Sequence, residues 1–154
     1  MQAIATTSFL ICRSGECRYA LPLAQVIETM RVLPTVALAS MPSYLLGMST
    51  IRGEAIPVID LAGVVGTAPA GLLGRYITLR VGKRMAAAAV EGVIGVRTLR
   101  PETLDTLPPL LCDAQHEVVT AITLLDADLL LVLHSAHLIP EPVWATLTSG
   151  SVTP

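Results

Sequence analysis

Cysteine and histidine are the residues of this sequence that could bind a transition metal or act as nucleophiles, and their spacing argues against both roles. Cys12 and Cys17 flank the predicted Ser14-Gly15-Glu16 turn, Cys112 is remote from them, and His134 and His137 lack a third ligand at a metal-like spacing. Structural zinc sites need four Cys or His ligands in close groups. We therefore interpret the thiols as small, half-buried residues and expect neither a metal nor a cofactor.

Acid–base and covalent catalysis also lack the residues they need. Asp126 and Asp128 flank a predicted turn, where aspartate is common for turn chemistry alone, and no third polar group accompanies them. No glycine-rich segment leads into Lys-Ser/Thr or a helix start, so a phosphate loop is not predicted. The serines lack the strand-to-helix setting of a nucleophile elbow. The sequence therefore predicts a protein that is not an enzyme.

One charged residue lies on a strand whose same face is otherwise apolar. The alternation of the segment VIETMRVL predicts a strand over Val26 to Leu33 that carries a carboxylate among three apolar side chains, namely Glu28 with Val26, Met30 and Val32. A carboxylate within an apolar patch gives direction to a hydrophobic contact between proteins. The alternative is a solvent-facing glutamate flanked by ordinary surface residues.

A second charged residue, Arg52, lies at the tip of a predicted hairpin in the segment GMSTIRGEAIPVIDL. Gly53 supplies the positive φ that a two-residue turn needs, and β-branched residues flank the turn. Glu28 and Asp60 are candidate partners for the guanidinium group. An arginine held in an apolar patch is typical of a protein-interaction hot spot. Val26, Glu28, Met30 and Arg52 are therefore candidates for contact with a partner protein, and the alternative for Arg52 is a solvated side chain.

The strand after this turn has an unusual pattern. Its apolar residues do not alternate with polar ones, so both faces should be covered, one by a core and one by a neighbouring module or partner. Pro57 cannot donate a ladder hydrogen bond, which places it at an edge or a bulge.

The composition narrows the class of protein. Of the 154 residues, 53% are hydrophobic and 14% are charged, so the excess apolar surface indicates a large core and contact with a protein partner. No apolar run approaches the roughly 18 to 20 residues of a membrane-spanning helix, so membrane insertion is not expected. A net charge of -2 with scattered cations disfavours nucleic acid. Three cysteines without a dense framework fit a reducing cytoplasm.

The order of predicted elements indicates an internal duplication. A hairpin over Phe9 to Leu23 and the strand from Val26 are matched by YITLRV, a Gly82-Lys83 turn, MAAAAVE and VIGVRTL, and the hairpin at Gly53 is matched by strands around Asp126. About ten strands in two five-stranded units follow. The alanine run favours helix, yet the turn just before it favours strand.

Turn-forming residues predict the connections between these strands. The stretch 62–74 contains four glycines and Pro69 and is predicted to be a loop between the two units. Ser135 could cap a short C-terminal helix through Ile139, which Pro140 and Pro142 would end. Trp144 then falls in a tail.

The segment GMSTIRGEAIPVIDL resembles the signature of the CheW-like domain family of chemotaxis coupling proteins. The likeness extends outward through FLICRSGECRYALPLAQVIETM, MPSYLLG and AVEGVIGV, and covers nearly the whole chain, from about Phe9 to Ile139. It implies a single domain over 1–154, all-β, with two pseudo-symmetric five-stranded SH3-like β-barrels as halves at about 9–66 and 75–139, and a short C-terminal helix.

The resemblance also implies a function and assigns residues to it. It implies a cytoplasmic, non-catalytic adaptor that couples the regulatory domain of the histidine kinase CheA to the cytoplasmic tips of methyl-accepting chemoreceptors. Val26, Glu28 and Arg52 match positions associated with partner binding, and the framework positions are Gly47, Gly53, Pro57 and Asp60. Thr50 stands where the family commonly has asparagine, and Glu91 where it has aspartate.

Within that reading we expect the first barrel to offer a strand edge to the kinase, and a groove between the barrels to accept the receptor's helical hairpin. One alternative is an adaptor of another chemosensory array, controlling pilus motility or gene expression. Another is a small-molecule sensor that uses the same groove.

Overall fold

The structure is a computed structural model that describes residues 7–66, 71–100, 105–106, 119–126, 128–135 and 138–149. In chain order its strands are β1 (Thr7–Ser14), β2 (Cys17–Pro22), β3 (Val26–Arg31), β4 (Leu45–Ile51), β5 (Glu54–Asp60), β6 (Arg75–Val81), β7 (Arg84–Val90), β8 (Gly92–Leu99), β9 (Asp105–Thr106), β10 (Val119–Leu125) and β11 (Asp128–Leu133). The described α-helices are α1 (Leu61–Val65) and α2 (Glu141–Ser149), and a 3-10 turn, Leu23–Gln25, joins β2 to β3.

The strands form two sheets that exchange hairpins. One sheet has the order β8-β1-β2-β11-β10-β9, in which β9 contributes only two residues, and the other has the order β3-β6-β7-β5-β4. The hairpin β1–β2 thus lies among strands of the second half, and β6–β7 lies among strands of the first. The predicted all-β fold with paired five-stranded units is confirmed, whereas this exchange of hairpins was not predicted.

The duplication is visible in how each exchanged hairpin is attached. One parallel ladder joins β11 to β2 and another joins β5 to β7, with three residue pairs in each. All other strand pairs in the two sheets are antiparallel. The two sheets therefore use the same plan of connections, as expected for a repeated unit.

Tight turns fall where the sequence predicted them. Gly15, Gly53 and Gly82 have φ values of 62°, 82° and 65°, so each adopts the left-handed conformation that two-residue hairpin loops require. The alanine run is a strand, β7, with Ala86 to Ala89 fully buried. Small side chains suit this central strand because both of its faces are covered.

Three apolar clusters hold the sheets together. The largest cluster lies between the two sheets and includes Leu10, Leu79 and Ile59. A second cluster, which includes Val58, fills the five-stranded sheet, and a third, which includes Phe9, fills the six-stranded sheet. Adjacent residues of β5 thus face different cores, which confirms that both faces of this strand are covered.

Two predicted connections were wrong in detail. The stretch predicted as loop begins with helix α1, whose Leu61 and Val65 are buried. A C-terminal helix is confirmed, but it starts at Glu141, after the position where Pro140 was expected to end one. Proline is tolerated in the first turn of a helix because the N–H groups there have no intrahelical partner.

The expected cap of that helix has another role. The Ser135 hydroxyl donates to the carbonyl oxygen of Arg80 at 3.0 Å and so ties the end of β11 to β6. Trp144 and Leu147 of α2 are buried in the central cluster, so this segment is a packed element where a tail was expected.

Candidate protein-binding site

Arg52 lies at the tip of the β4–β5 hairpin and forms a bidentate ion pair with Glu28 on β3. Nε donates to Oε2 at 2.5 Å, and Nη2 donates to Oε1 at 2.7 Å. Arg52 has φ of 51°, a left-handed conformation that non-glycine residues rarely adopt. The sequence named two candidate partners for this arginine, and the structure shows that Glu28 is the one.

The ion pair joins the two edges of the five-stranded sheet. β3 and β4 are the first and last strands of that sheet, so a contact between them curls it into a barrel. The chain after β3 continues the seam: Val36 and Met48 exchange two backbone hydrogen bonds of 2.8 Å, and the Ser49 hydroxyl donates to the carbonyl oxygen of Pro34 at 2.8 Å. The tip is therefore held by the barrel wall and by its ion pair.

The electrostatics favour the charged state of both groups. The hydrogen bond from Arg52, followed by its charge, lowers the pKa of Glu28, and the reciprocal contacts raise the pKa of Arg52. The Arg52 side chain is nevertheless 76% exposed and that of Glu28 27%. Exposed pairs contribute little to folding stability. The main consequence of the contact is orientation, because it presents a fixed arginine and carboxylate to solvent.

The apolar residues on either side of Glu28 pack against two different clusters. The ladder between β3 and β6 shifts register between Val26 and Glu28, as a bulge does. Val26 packs against the central cluster and Met30 against the cluster of the five-stranded sheet. Val26, Glu28 and Met30 are all half-buried and alternate with exposed residues along β3, and their contact with a partner stays a prediction. Val32, beyond the end of β3, is 41% exposed.

Gly47 is required by a close approach of two backbones. A Cβ atom at this position would lie 2.1 Å from the carbonyl oxygen of Val36, and φ is 142°. Gly53 has open space around it, so its need for glycine comes only from its turn conformation.

Pro57 lies on an internal strand, yet one side of it is unpaired. β5 is flanked by β7 and β4, but its parallel ladder with β7 begins only at the next residue, where Val58 pairs with Ala87. The predicted edge is therefore local to the first half of β5. A residue without an N–H group can occupy this place without loss of a ladder bond.

Asp60 ends β5 and precedes α1 instead of pairing with Arg52. Burial raises the pKa of its carboxyl group, and the negative charge of Glu91 adds to this rise, although the N–H groups of Ala62 and Gly63 oppose it. Oδ1 is buried without a hydrogen-bond partner among the described residues. Its position at the start of a helix agrees with a framework role, which remains a prediction.

Comparison with known proteins assigns the chain to a family. A family profile for the CheW-like domain matches residues 8–143. The chain belongs to the CheW-like domain family. It is 24% identical over 131 residues to the probable chemotaxis protein CheW of Rhizobium etli, covering 84% of each chain. It is 32% identical over 110 residues to protein FrzA of Myxococcus xanthus, covering 70% of this chain and 68% of FrzA.

The fold of a solved CheW agrees with this assignment. The crystal structure of the scaffolding protein TtCheW from Thermoanaerobacter tengcongensis superposes with a TM-score of 0.73 at 21% identity, covering 84% of this chain and 89% of that one. The resemblance inferred from the sequence is therefore confirmed, and with it the paired SH3-like fold.

Glu91 makes structural contacts that the sequence did not reveal. Its Oε2 accepts backbone N–H groups from Gly15 and Gly71, both at 2.7 Å, and its Oε1 lies 3.3 Å from Nη1 of Arg13. These two N–H groups are the main cause of its lowered pKa. The signal in the sequence was one carboxylate at the end of the alanine-rich strand. It joins the β1–β2 turn to the segment before β6.

The remaining reactive residues of this CheW-like chain are dispersed. Cys12 is fully buried, and burial raises the pKa of its thiol to about 12. Asp128 pairs with Arg18 at 3.1 Å. Cys112 and His137 lie outside the described residues. The part of the chain that the structure describes contains no cluster of three metal-ligating side chains and no helix with the length and apolarity to cross a membrane.

Proposed function

We propose that this CheW-like protein is a cytoplasmic adaptor that couples the regulatory domain of a CheA histidine kinase to the cytoplasmic tips of methyl-accepting chemoreceptors. Membership of the family and the named chemotaxis relatives support the adaptor role. The observation that carries the site assignment is the fixed Arg52–Glu28 pair at the exposed seam of the five-stranded barrel.

The mechanism we propose needs no bond-making step. An adaptor that holds two partners at once raises their effective concentration for each other, and the geometry of the adaptor then sets their relative orientation. Rigid elements suit this task because little conformational entropy is lost on binding. The Arg52 tip is fixed by its turn and its ion pair, which makes it a pre-organised polar contact. Val32 places exposed apolar surface near the same seam.

A second candidate is the same role in another chemosensory array. The 32% identity to protein FrzA favours this alternative. Among the described residues, the largest apolar cluster lies between the two sheets. This cluster favours neither a small-molecule sensor with a groove between the barrels nor the same groove as the place of the receptor hairpin. The cognate partners would separate the two adaptor roles, since each array has its own kinase and receptors.

Charge reversal tests whether the ion pair contacts a partner or only closes the barrel. We expect Arg52→Glu and Glu28→Arg each to weaken binding of the kinase regulatory domain or of the receptor tip by about tenfold or more, as for a hot-spot residue. The double variant Glu28→Arg/Arg52→Glu restores an ion pair with the charges exchanged. If a partner contacts these charges, the double variant binds as weakly as the single variants.

Calorimetric titration of each variant with a purified kinase regulatory domain, and pull-down with a receptor tip, would give the answer. Arg97→Glu is the matched control, because Arg97 is exposed on β8 of the other sheet. Normal binding of both single variants to both partners would refute the assignment. Full recovery in the double variant would show that the pair is a structural latch and not a contact.

A further inference from the structure

A groove opens in the wall of the five-stranded barrel where β5 and β7 separate. The two strands pair from Val58 and Ala87 onward. Before that point no backbone pairing joins β5 to β7. The resulting groove has a volume of about 550 Å³. Its main apolar side chains come from four strands and from α2, and they are Ile27, Met48, Pro57, Met85, Trp144 and Leu147.

The register shift in β3 contributes to this groove. Because the ladder with β6 slips after Val26, Ile27 lines the groove and remains 39% exposed. Helix α2 forms a wall through Trp144 and Leu147, which are otherwise buried in the central cluster. The groove therefore places apolar side chains, together with charged ones, beside a helix that is already docked on the same barrel.

The charges on the rim are unevenly distributed. Arg84 is occupied, because it makes two hydrogen bonds to Glu141 and its guanidinium group lies 4.9 Å from the Trp144 ring centroid. Arg80 and Lys83 line the same side, are exposed, and have no ion-pair partner among the described residues. Glu54 lies at the other side, in the hairpin that carries Arg52.

We propose that this groove binds an amphipathic helix of a partner protein whose apolar face is flanked by carboxylates. The apolar side chains of that helix pack on Met48 and Met85 beside α2, in the way that one helix packs along another. Its carboxylates face Arg80 and Lys83, and this fixes which way round the helix lies. The inference rests on the proposed adaptor function, and it names the chemistry of one partner surface.

Trp144 provides a direct readout, because it is the one tryptophan in the sequence and it lines the groove. The probes are three tryptophan-free helical peptides of about 14 residues, roughly four turns. All three carry the same leucine face, and they differ in having glutamate, glutamine or lysine along one flank. The measurement is the change in Trp144 fluorescence of the full-length protein as each peptide is added, at low and high salt.

We expect the glutamate peptide to bind at least about tenfold more tightly than the lysine peptide, with an advantage that shrinks as salt is raised. Arg80→Glu/Lys83→Glu should remove that preference, whereas Arg97→Glu should leave it intact. Urea unfolding of each variant shows that it is folded. Equal binding of the three peptides, binding of none, or the same loss with Arg97→Glu would overturn the proposal.

Titration of the same variants with the kinase regulatory domain separates this inference from the proposed function. If kinase binding depends on Glu28 and Arg52 but no peptide enters the groove, the groove proposal fails and the adaptor function stands. If neither kinase nor receptor tip binds the unmodified protein, the adaptor function itself fails.

Discussion

Replacing Gly47 by alanine tests whether a close approach of two backbones shapes the barrel that carries the candidate site. The added Cβ would lie 2.1 Å from the carbonyl oxygen of Val36 and 2.6 Å from its carbonyl carbon. Carbon atoms in good contact are roughly 3.5 Å apart or more, so the two backbones must separate by about 1 Å. That movement breaks the paired 2.8 Å hydrogen bonds between Val36 and Met48.

The expected cost follows from these contacts. Two backbone hydrogen bonds contribute about 1 kcal/mol each, and an L side chain held at the φ of 142° adds on the order of 1–3 kcal/mol. We therefore expect Gly47→Ala to lower the free energy of unfolding by about 3–5 kcal/mol. Urea unfolding followed by circular dichroism, with m-values compared between variants, measures this change.

Gly92→Ala is the matched control. Gly92 also lies in a strand, but a Cβ there would meet only the Arg13 side chain, at 3.6 Å or more, and no positive φ is involved. Alanine within a strand is otherwise favoured over glycine, so we expect a change of no more than about 1 kcal/mol. A loss below about 1 kcal/mol for Gly47→Ala, or one no larger than the control shows, would refute the reasoning.

Two further predictions concern titratable groups. The lowered pKa of Glu91 means that its carboxylate stabilises the fold above its ordinary pKa of 4.5, and that this contribution is lost as pH falls through the lower folded value. Glu91→Gln should be less stable than the parent in urea at pH 7, and the difference should vanish in strong acid; parallel curves would contradict this. Burial raises the pKa of the Cys12 thiol to about 12, whereas Cys17 is only half-buried. With Cys112 changed to serine, a thiol reagent at about pH 8 should label one site in the folded protein and two in urea; two fast sites without urea would contradict it.

The sequence was most informative where one residue type has one structural use. Gly15, Gly53 and Gly82 were identified as hairpin turns because few other residues tolerate a positive φ. The structure places each of them at a turn. The strand character of the alanine run was also predicted, since the turn just before it outweighed the helix propensity of alanine.

Contacts between distant segments could not be predicted in the same way. Nothing local to β1 or β6 says which sheet each hairpin joins, because the choice depends on parallel ladders formed between the two halves. The clamp at Glu91 has the same origin, since its partners Gly15 and Gly71 are separated from it by 76 and 20 residues. Hydrogen bonds to backbone N–H groups leave no pattern in side-chain types.

The candidate site contains features that local sequence predicted and one feature that it did not. That Arg52 is at a hairpin tip follows from Gly53 beside it, and that Glu28 is a possible partner follows from its charge. The missed element was the register shift after Val26, which places Ile27 in the groove. A bulge changes which residues share a face without changing the composition of a strand, so alternation alone does not reveal it.

Four departures from a regular sheet lie in the part of the barrel that we propose binds partners. Arg52 has a positive φ, and Gly47 allows a close approach of two backbones. Pro57 lies where β5 is unpaired on one side, and the register shift beside Ile27 changes the direction of the side chains at the start of β3. Irregularities of this kind carry a local cost, and the six-stranded sheet has some as well, at Asp126 and between Ile11 and Cys12. The two that involve Pro57 and Ile27 open the groove beside α2, and the two that involve Arg52 and Gly47 fix the seam. An irregular wall is therefore supported by rigid closure next to it, and this arrangement suits the partner contacts that we propose.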